Sequence, residues 1–255
     1  MFMRKIGFAS LLFALVAIQA DGIIIRHDRE DSRYLELGAR FPAVCSIGRA
    51  GEGTLIAPQW VLTAAHVTKG SSSPTVDFDG QQYKIAAKFI FPNWEDMGPN
   101  DIGLIKLEQP VPGVQPIPVY QGSDEVGRQV TFVGRGGTGT GLTGPTSEDR
   151  KKRGATNTVE RADHEWLYFT FREPAAATDL EGISGPGDSG GPALIEKDRK
   201  FYIAGISVWG QPGKRGRGTY GAKEGYTRVS SYLAWINDTF QGKTAPLSAG
   251  PGAED

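Results

Sequence analysis

Short runs of apolar and β-branched residues recur along the chain, and Gly, Pro, Asn or Asp ends most of them. Runs of this length between turn-forming residues are typical of β-strands. In the first half, the predicted strands cover residues 41–48, 54–56, 60–63, 75–78, 83–91 and 102–107. In the second half, they cover residues 128–133, 156–161, 166–172, 192–196, 201–208 and 224–229. The pattern therefore predicts an all-β protein.

Two six-stranded antiparallel barrels fit this pattern, because closing each sheet removes the exposed edges that invite aggregation. We predict an N-terminal segment and a first barrel within residues 23–125 and a second barrel within residues 126–228. The join between them is expected near residues 122–127, where glycines flank polar residues.

The C-terminal part changes from strand to helical spacing. The apolar side chains that fall close to one helical face are Val229, Leu233, Trp235, Ile236 and Phe240. This spacing predicts a single C-terminal helix over residues 229–240. Residues 241–255 are rich in Gly, Ala, Pro and Ser, which predicts a disordered tail.

Residues 1–22 have the pattern of a signal peptide. A basic segment at residues 1–5 precedes an apolar run at residues 6–18, and small or polar residues follow. The run is short for a bilayer span and has no stop-transfer pattern, so a membrane anchor is the weaker interpretation. We expect a secreted or periplasmic protein without a membrane anchor.

Charge and cysteine content exclude several classes of function. The 28 Lys and Arg residues nearly balance the 29 Asp and Glu residues, so no overall field attracts nucleic acid and we expect no such partner. No His, Cys and carboxylate residues stand at metal-ligand spacing, so no metal and no cofactor is predicted. Cys45 is the single cysteine, and its apolar neighbours predict a buried, unreactive thiol.

Two further segments invite a ligand-binding interpretation. The glycine-rich residues 134–144, continuing to residue 154, lack the Lys-Ser/Thr ending of a phosphate-binding loop, so we predict a flexible surface loop. The basic clusters at residues 150–153 and 214–217 are short, and solvated loop charge is their usual explanation.

Three motifs carry candidate chemistry. They are Thr-Ala-Ala-His at residues 63–66, Asn-Asp-Ile-Gly-Leu at residues 100–104 and Gly-Asp-Ser-Gly-Gly-Pro at residues 187–192. In this order they resemble the chymotrypsin/trypsin family of serine endopeptidases, and the likeness covers about residues 23–240. The resemblance implies an active site between the two barrels and protein or peptide substrates.

The chemistry of peptide hydrolysis requires these residue types. A serine hydroxyl is a poor nucleophile until a neighbouring base accepts its proton, and His66 lies in such a motif. Imidazole titrates near neutral pH, so it can take that proton and later donate it to the leaving amine. The resemblance implies a triad of His66, Asp101 and Ser189, in which Asp101 orients the imidazole. The amides of Gly187 and Ser189 would form the oxyanion hole.

The resemblance also implies a mode of activation. In the family, a new N-terminal ammonium pairs with the acid before the nucleophile, which here is Asp188. Signal peptidase cleavage after Gly22 would free Ile23 directly for this pairing. Two alternatives are cleavage after Ala20, which leaves a short propeptide, and a mature terminus at Ile24.

The specificity pocket departs from the family pattern. Ile183 stands six residues before the nucleophile, where trypsin-like members place an acid at the pocket floor. Glu224 is a candidate for the far wall of the pocket and would restore a preference for basic side chains. Asp179 and Glu181 are the alternatives.

Substrate-strand pairing is expected at Val208, Trp209 and Gly210, although Val208 precedes Trp209 where the family often has Ser. With one cysteine, the family's disulfides cannot form, including the one that clamps the pocket loops. Residues 161–178 are too few for the helix that family members usually carry before the pocket loop. The pocket walls are therefore the part of the likeness that is hardest to align.

Two other classes of function remain open from the sequence. One is an inactive binding module on the same fold, and the other is a structural or adhesive protein that uses the basic loops. The intact triad favours the enzyme, because a pure binder has no chemical need for it. His27 and His164 lack catalytic flanks and are expected to be ordinary surface residues. The sequence thus predicts a monomeric, secreted serine endopeptidase that acts through an acyl-enzyme.

Overall fold

A computed structural model of the protein describes residues 22–248. The predicted signal peptide, except Gly22, and residues 249–255 of the predicted tail lie outside the described residues. No helix among residues 22–248 is long and apolar enough to cross a bilayer.

The N-terminal segment begins with strand β1 (Ile24–Ile25), followed by helix α1 (Asp31–Ala39). The sequence pattern did not predict α1. Only Tyr34 and Gly38 of this helix are buried, so its apolar stripe is too narrow to stand out in the sequence. Gly38 permits a close approach, because a Cβ there would lie 2.6 Å from the carbonyl oxygen of Lys152.

The first barrel closes with six strands. They are β2 (Val44–Ile47), β3 (Gly51–Ala57), β4 (Trp60–Thr63), β5 (Thr75–Phe78), β6 (Gln81–Ile90) and β7 (Gly103–Leu107). Around the barrel the order is β2-β3-β4-β7-β6-β5, and Ser46 pairs with Asp77 to close it. In β5, buried Val76 and Phe78 alternate with partly exposed neighbours, which is the period of a strand with one face on a core.

The second half of the chain forms two sheets. Its strands are β8 (Gln129–Gly134), β9 (Thr138–Thr140), β10 (Gly144–Ser147), β11 (Arg153–Thr158), β12 (Arg161–Ala162), β13 (Trp166–Thr170), β14 (Gly182–Ile183), β15 (Pro192–Lys197), β16 (Lys200–Gln211) and β17 (Lys223–Arg228). One sheet has the order β11-β8-β15-β16-β17-β13-β12, and the other has the order β10-β9-β1-β14.

The predicted fold class is confirmed as a mostly β chain with a closed barrel, a second β unit and a short C-terminal helix. The second unit differs in that its seven-stranded sheet stays open. The side chain of Asn157 in β11 bridges the gap, donating to the carbonyl oxygens of Thr170 (3.2 Å) and Gly182 (3.0 Å). Here the hydrogen bonds of a side-chain amide stand where backbone hydrogen bonds between two strands would close the sheet.

Each predicted strand corresponds to a strand of the structure, with ends that differ by three residues at most. The prediction of a flexible loop over residues 134–144 was wrong. Gly136 and Thr138 are buried, and β9 pairs in parallel with β1. Glycine-rich strands lack the apolar alternation by which the other strands were recognised.

The C-terminal helical segment is present in two parts. A 3-10 turn (Val229–Tyr232) precedes helix α3 (Leu233–Phe240), whose Trp235 and Ile236 are buried. Beyond α3, the chain remains in contact with the first barrel, because the amide of Leu247 donates to the carbonyl oxygen of Lys88 at 2.7 Å. Helix α2 (Ala65–Gly70), which follows β4 directly, was not predicted.

Candidate active site

His66 lies in the first turn of α2, where β4 ends, and it is bound twice by one carboxylate. Its Nδ1 lies 2.6 Å from Oδ2 of Asp101, and its backbone amide donates to Oδ1 at 2.9 Å. Asp101 is completely buried, whereas the His66 side chain is 16% exposed. With Nδ1 donating its proton to the carboxylate, the lone pair of Nε2 is available to accept one.

Asp101 is held from both halves of the molecule. It follows Asn100, whose φ of 63° turns the chain at the start of β7. From the second sheet, the hydroxyl of Thr227 in β17 donates to the carbonyl oxygen of Asp101 at 2.9 Å. The backbone of Asp101 is therefore held across the junction of the two β units.

Ser189 lies on the nucleophile loop, defined here as residues 184–191, between β14 and β15. Gly187 (φ 93°) and Gly190 (φ 81°) adopt left-handed conformations that favour glycine. The carbonyl oxygen of Ser189 accepts the Glu52 amide at 2.8 Å. At Gly51, a Cβ would lie 2.3 Å from that oxygen and 2.8 Å from Cγ2 of Val67, the neighbour of His66. A glycine at residue 51 thus lets the loop lie against α2.

Asp188 is buried and accepts two backbone hydrogen bonds. Its Oδ1 binds the amide of Gly136 and its Oδ2 binds the amide of Gly185, both at 2.7 Å. Burial raises the pKa of Asp188 to about 7. Ile23, the predicted partner, is 1% exposed and follows Gly22 in the described chain, so its nitrogen is part of a peptide bond. The pairing of Asp188 with an Ile23 ammonium stays a prediction.

A cavity of about 60 Å³ opens beside Ser189. The five residues predicted to bind substrate all line it: Ile183, Val208, Trp209, Gly210 and Glu224. Ser184, Ser207 and Arg217 also line it. Ser184 and Arg217 lie within the pocket walls expected from the sequence, residues 179–186 and 209–223, but were not singled out there as binding residues. No motif spacing marks these three residues, because the loops that bring them together are far apart in the chain.

Glu224 supplies a buried carboxylate in this cavity. It is 3% exposed, and its Oε2 accepts the amide of Ser184 at 3.1 Å. The Ser184 hydroxyl donates to Oε1 and also lies 3.1 Å from the hydroxyl of Ser207. Burial raises the pKa of Glu224 to about 8, against the lowering influence of these hydrogen bonds and of Arg217. The pocket therefore holds an acid without an ion-pair partner within it.

The two alternative acids lie elsewhere. Glu181 is buried and bound to Arg172, with Oε2 2.6 Å from Nη2, and to the amide of Thr178. Asp179 is exposed and pairs with Arg29 (3.1 Å) and Arg33 (2.6 Å). Neither lines the cavity, so Glu224 is the acid of the pocket.

The unexpected residue before Trp209 is accommodated by a β-bulge. Between β16 and β17, Ser207 pairs with Tyr226 and Trp209 pairs with Gly225, so Val208 is the extra residue. A Cβ at Gly225 would lie 2.1 Å from the Trp209 ring, and the glycine lets the indole lie against β17. The bulge re-aims Trp209 and Gly210 towards the cavity.

The remaining candidates behave as ordinary structural residues. His27 and His164 are exposed, as predicted. Cys45 is fully buried, and burial raises the pKa of its thiol well above the usual range. Among residues 22–248, no group of His, Cys, Asp and Glu side chains is arranged to hold a metal ion.

The fold and the site together define a class of protein. The first β unit carries a His–Asp pair, and the second carries a Gly-Asp-Ser-Gly loop beside a side-chain pocket. The family model named Trypsin matches residues 37–236. The chain therefore belongs to the trypsin family of serine endopeptidases.

Comparisons with individual proteins agree with the family. The chain is 34% identical to the complement C1s subcomponent of Sus scrofa over 235 residues, which is 78% of this chain and 33% of that protein. It is 32% identical to the calcium-dependent serine proteinase of Mesocricetus auratus over 239 residues, 78% of this chain and 33% of that protein. The chain thus spans about a third of the length of these relatives.

A solved structure supports the fold. Neuropsin, a serine protease expressed in the limbic system of mouse brain, superposes with a TM-score of 0.65. The likeness covers 80% of this chain and 96% of neuropsin, at 20% sequence identity. At that identity the likeness shows the architecture and nothing more specific.

Proposed function

We propose that this protein is a serine endopeptidase that cleaves peptide bonds with a His66–Asp101–Ser189 triad. The observation that carries the proposal is the doubly bound pair of His66 and Asp101, with Nδ1 2.6 Å from Oδ2. Gly51 lies against both the Ser189 carbonyl oxygen and Val67, the neighbour of His66, so the pair and the nucleophile loop meet at this glycine. A buried carboxylate that binds one imidazole nitrogen orients the ring, so that the other nitrogen can accept the proton of the serine hydroxyl.

The reaction begins with the Ser189 hydroxyl. His66 Nε2 accepts its proton while the serine oxygen attacks the scissile carbonyl carbon, and the carbonyl π electrons move onto the oxygen. The amides of Gly187 and Ser189 stabilise the oxyanion, and the left-handed conformation of Gly187 (φ 93°) supports this role, because a glycine there lets the backbone turn before Ser189. The tetrahedral adduct then collapses, the C–N bond breaks, and the protonated His66 donates its proton to the departing amine.

Water completes the cycle. His66 Nε2 takes a proton from water as its oxygen attacks the acyl-enzyme carbonyl, and the second adduct expels Ser189, which regains its proton from His66. Throughout, Asp101 orients His66 and stabilises the imidazolium that forms twice in each turnover.

The pocket favours a basic side chain in the substrate. Glu224 is the buried acid of the cavity, and a Lys or Arg side chain of the substrate would form an ion pair with its carboxylate. Binding of a cation lowers the pKa of the carboxyl and holds it ionised. We therefore propose cleavage after Lys or Arg.

We also propose export, maturation at Ile23 and a monomeric state. Gly22 already lies beside the backbone that binds Asp188. A Cβ on Gly22 would be 2.6 Å from the carbonyl oxygen of Gly136, whose amide donates to Asp188. An amine created at Ile23 by removal of residues 1–22 would form in that neighbourhood. N-terminal sequencing of the exported protein should give Ile23, and light scattering should give the mass of one chain. A fully active enzyme that begins at Asp21 would refute this maturation.

A fluorophosphonate probe tests the proposed activity. We expect it to label purified protein at Ser189, located by peptide mass spectrometry, and to leave the Ser189→Ala variant unlabelled. Wild-type protein that is folded by circular dichroism and remains unlabelled would favour a binding module on the same fold.

A further inference from the structure

A buried ion pair connects the first barrel to the second β unit beside the nucleophile loop. Arg135, which follows β8, places Nη1 2.7 Å from Oε2 of Glu52 in β3. Only 9% of the Arg135 side chain and 4% of the Glu52 side chain are exposed. Neither residue belongs to the motifs that mark the triad.

Glycines on both sides of Arg135 lie against the nucleophile loop. The Gly136 amide donates to Oδ1 of Asp188, and the Gly137 amide donates to the carbonyl oxygen of Pro186, both at 2.7 Å. At Gly134, a Cβ would lie 2.0 Å from Oδ1 of Asp188. We call residues 134–137 the glycine segment. Its three glycines lie against the nucleophile loop, and Arg135 is its one residue with a side chain.

Glu52 contacts the same loop from the opposite side. Its amide donates to the carbonyl oxygen of Ser189 at 2.8 Å. Its own carbonyl oxygen accepts the Thr63 hydroxyl at 2.6 Å and would lie 2.3 Å from a Cβ at Gly190. The backbone of Glu52 thus holds the loop directly, while its side chain holds Arg135.

The side chains of Arg135 and Glu52 also form hydrogen bonds with other residues. Nη2 of Arg135 binds Oδ1 of Asp79 (2.6 Å) and the carbonyl oxygen of Val44 (3.2 Å), and the Ser46 hydroxyl binds Oε1 of Glu52 (3.3 Å). Because desolvation offsets the attraction within a buried pair, the pair is weak evidence for added stability, and we assign it a role in geometry. Its geometry here sets the distance between β3 and the glycine segment.

We propose that Glu52 and Arg135 are positioning residues for the oxyanion hole. They clamp the nucleophile loop between β3 and the glycine segment, so that the amides of Gly187 and Ser189 stay aimed at one point. The inference rests on the proposed function, because an oxyanion hole has meaning only for a peptidase. The clamp also supplies a non-covalent connection in a chain with a single cysteine.

Arg135→Met tests the clamp. Removing a whole oxyanion donor from a comparable enzyme lowers kcat by about 10²–10³-fold, so a misplaced donor should lower it by about 10–100-fold. We expect KM to change less than kcat, because neither Arg135 nor Glu52 lines the substrate pocket. The affinity for a peptide aldehyde, which forms a tetrahedral adduct, should fall in parallel with kcat/KM.

Arg228→Met is the matched control. Arg228 binds Glu125, another buried glutamate, through Nη2 to Oε2 at 2.7 Å, and its side chain is 15% exposed. It should lower the thermal midpoint as Arg135→Met does while keeping the wild-type kcat. An equal fall in kcat for the two variants would overturn the proposal.

Hydrogen exchange gives a readout that does not need activity. Amides of residues 184–191 should exchange faster in Arg135→Met and at the wild-type rate in Arg228→Met.

Arg135→Lys, which keeps the charge, should recover part of kcat. Glu52→Gln replaces Arg135→Met if that variant does not fold. A folded Arg135→Met or Glu52→Gln with wild-type kcat and wild-type loop exchange would refute the clamp. An inactive wild type would refute the proposed function alone, and the exchange data would still decide the clamp.

Discussion

At the residue scale, the triad candidates are marked by the short sequence motifs around them. The triad candidates sit in short segments whose neighbours fix their backbone: Asn100 turns before Asp101, and Gly187 turns before Ser189. Such information lies within a few residues in the chain, and for that reason the sequence was sufficient to find it. Ser184 and Arg217 carry no such flanks, and only the meeting of distant loops places them in the pocket.

Substitution of the triad should show that its members act as a unit. Ser189→Ala and His66→Ala should each lower kcat by on the order of 10⁶-fold, and the double variant should be scarcely worse than either one. Activity on a peptide substrate gives kcat, and circular dichroism checks the fold. Losses that add across the two substitutions would show that the two side chains do not cooperate.

Glu224→Gln should remove the preference for basic side chains. We expect kcat/KM for Lys and Arg peptides to fall at least tenfold relative to Leu peptides, because the ion pair is lost. In the wild type, kcat/KM for Lys peptides should rise as pH increases through about 8, where the free carboxyl ionises. A peptide library that varies the residue before the scissile bond, read at pH 6 and pH 9, measures both effects.

The pocket offers a substitution of opposite sign as a check. Arg217 is a cation that lines the cavity, and Arg217→Ala removes its repulsion of a basic substrate side chain, so the preference for basic side chains should strengthen at pH 9, where Glu224 is ionised. Arg215 lies on the same loop outside the cavity, and Arg215→Ala should leave the preference unchanged. Equal losses on basic and apolar substrates in Glu224→Gln would place the acid outside substrate recognition.

At the scale of elements, strands that carry apolar alternation were predicted, and elements defined by long-range pairing were not. The strand at residues 60–63 was placed at its observed ends, and its Val61 and Leu62 are both buried. Strand β9 depends on β1, which lies far away in the sequence, and its Thr-Gly-Thr sequence has no apolar alternation. Helix α1 likewise buries only Tyr34 and Gly38.

The side-chain bridge between β11 and β13 should be important for the second unit. Asn157→Ala removes the donors to two carbonyl oxygens and should destabilise the protein by about 1–3 kcal/mol. Urea denaturation followed by circular dichroism measures the free energy of unfolding. Exposed Asn237 in α3 is the control, where Ala should be neutral or slightly stabilising. Equal effects at the two positions would mean that the bridge contributes nothing.

Buried acids couple the stability of the whole molecule to pH. The folded pKa of Glu224, about 8, lies above its ordinary value of 4.5, so its favourable contribution is complete at acidic pH and is lost as pH rises through about 8. The free energy of unfolding of the wild type, measured in urea at pH 5 and pH 8.5, should fall more steeply than that of Glu224→Gln, by a few kcal/mol at most. Parallel pH profiles would show that the carboxyl is already ionised near neutral pH.

Covalent cross-links within the chain do not hold the two halves together. With Cys45 alone and buried, the thermal midpoint and the peptidase activity should be the same with and without dithiothreitol. Differential scanning calorimetry in both buffers measures the midpoint. A midpoint that drops on reduction would reveal a disulfide between two chains.

The hydrogen bond from Thr227 to Asp101 has a consequence for self-digestion. A peptidase at high concentration is a potential substrate for its own copies, and its inner strands are reached only when the halves separate. Separation would break the bond by which the second unit holds the backbone of Asp101, the residue that binds His66. A molecule that opens to proteolysis therefore also loses one of the contacts that hold its own active site in place.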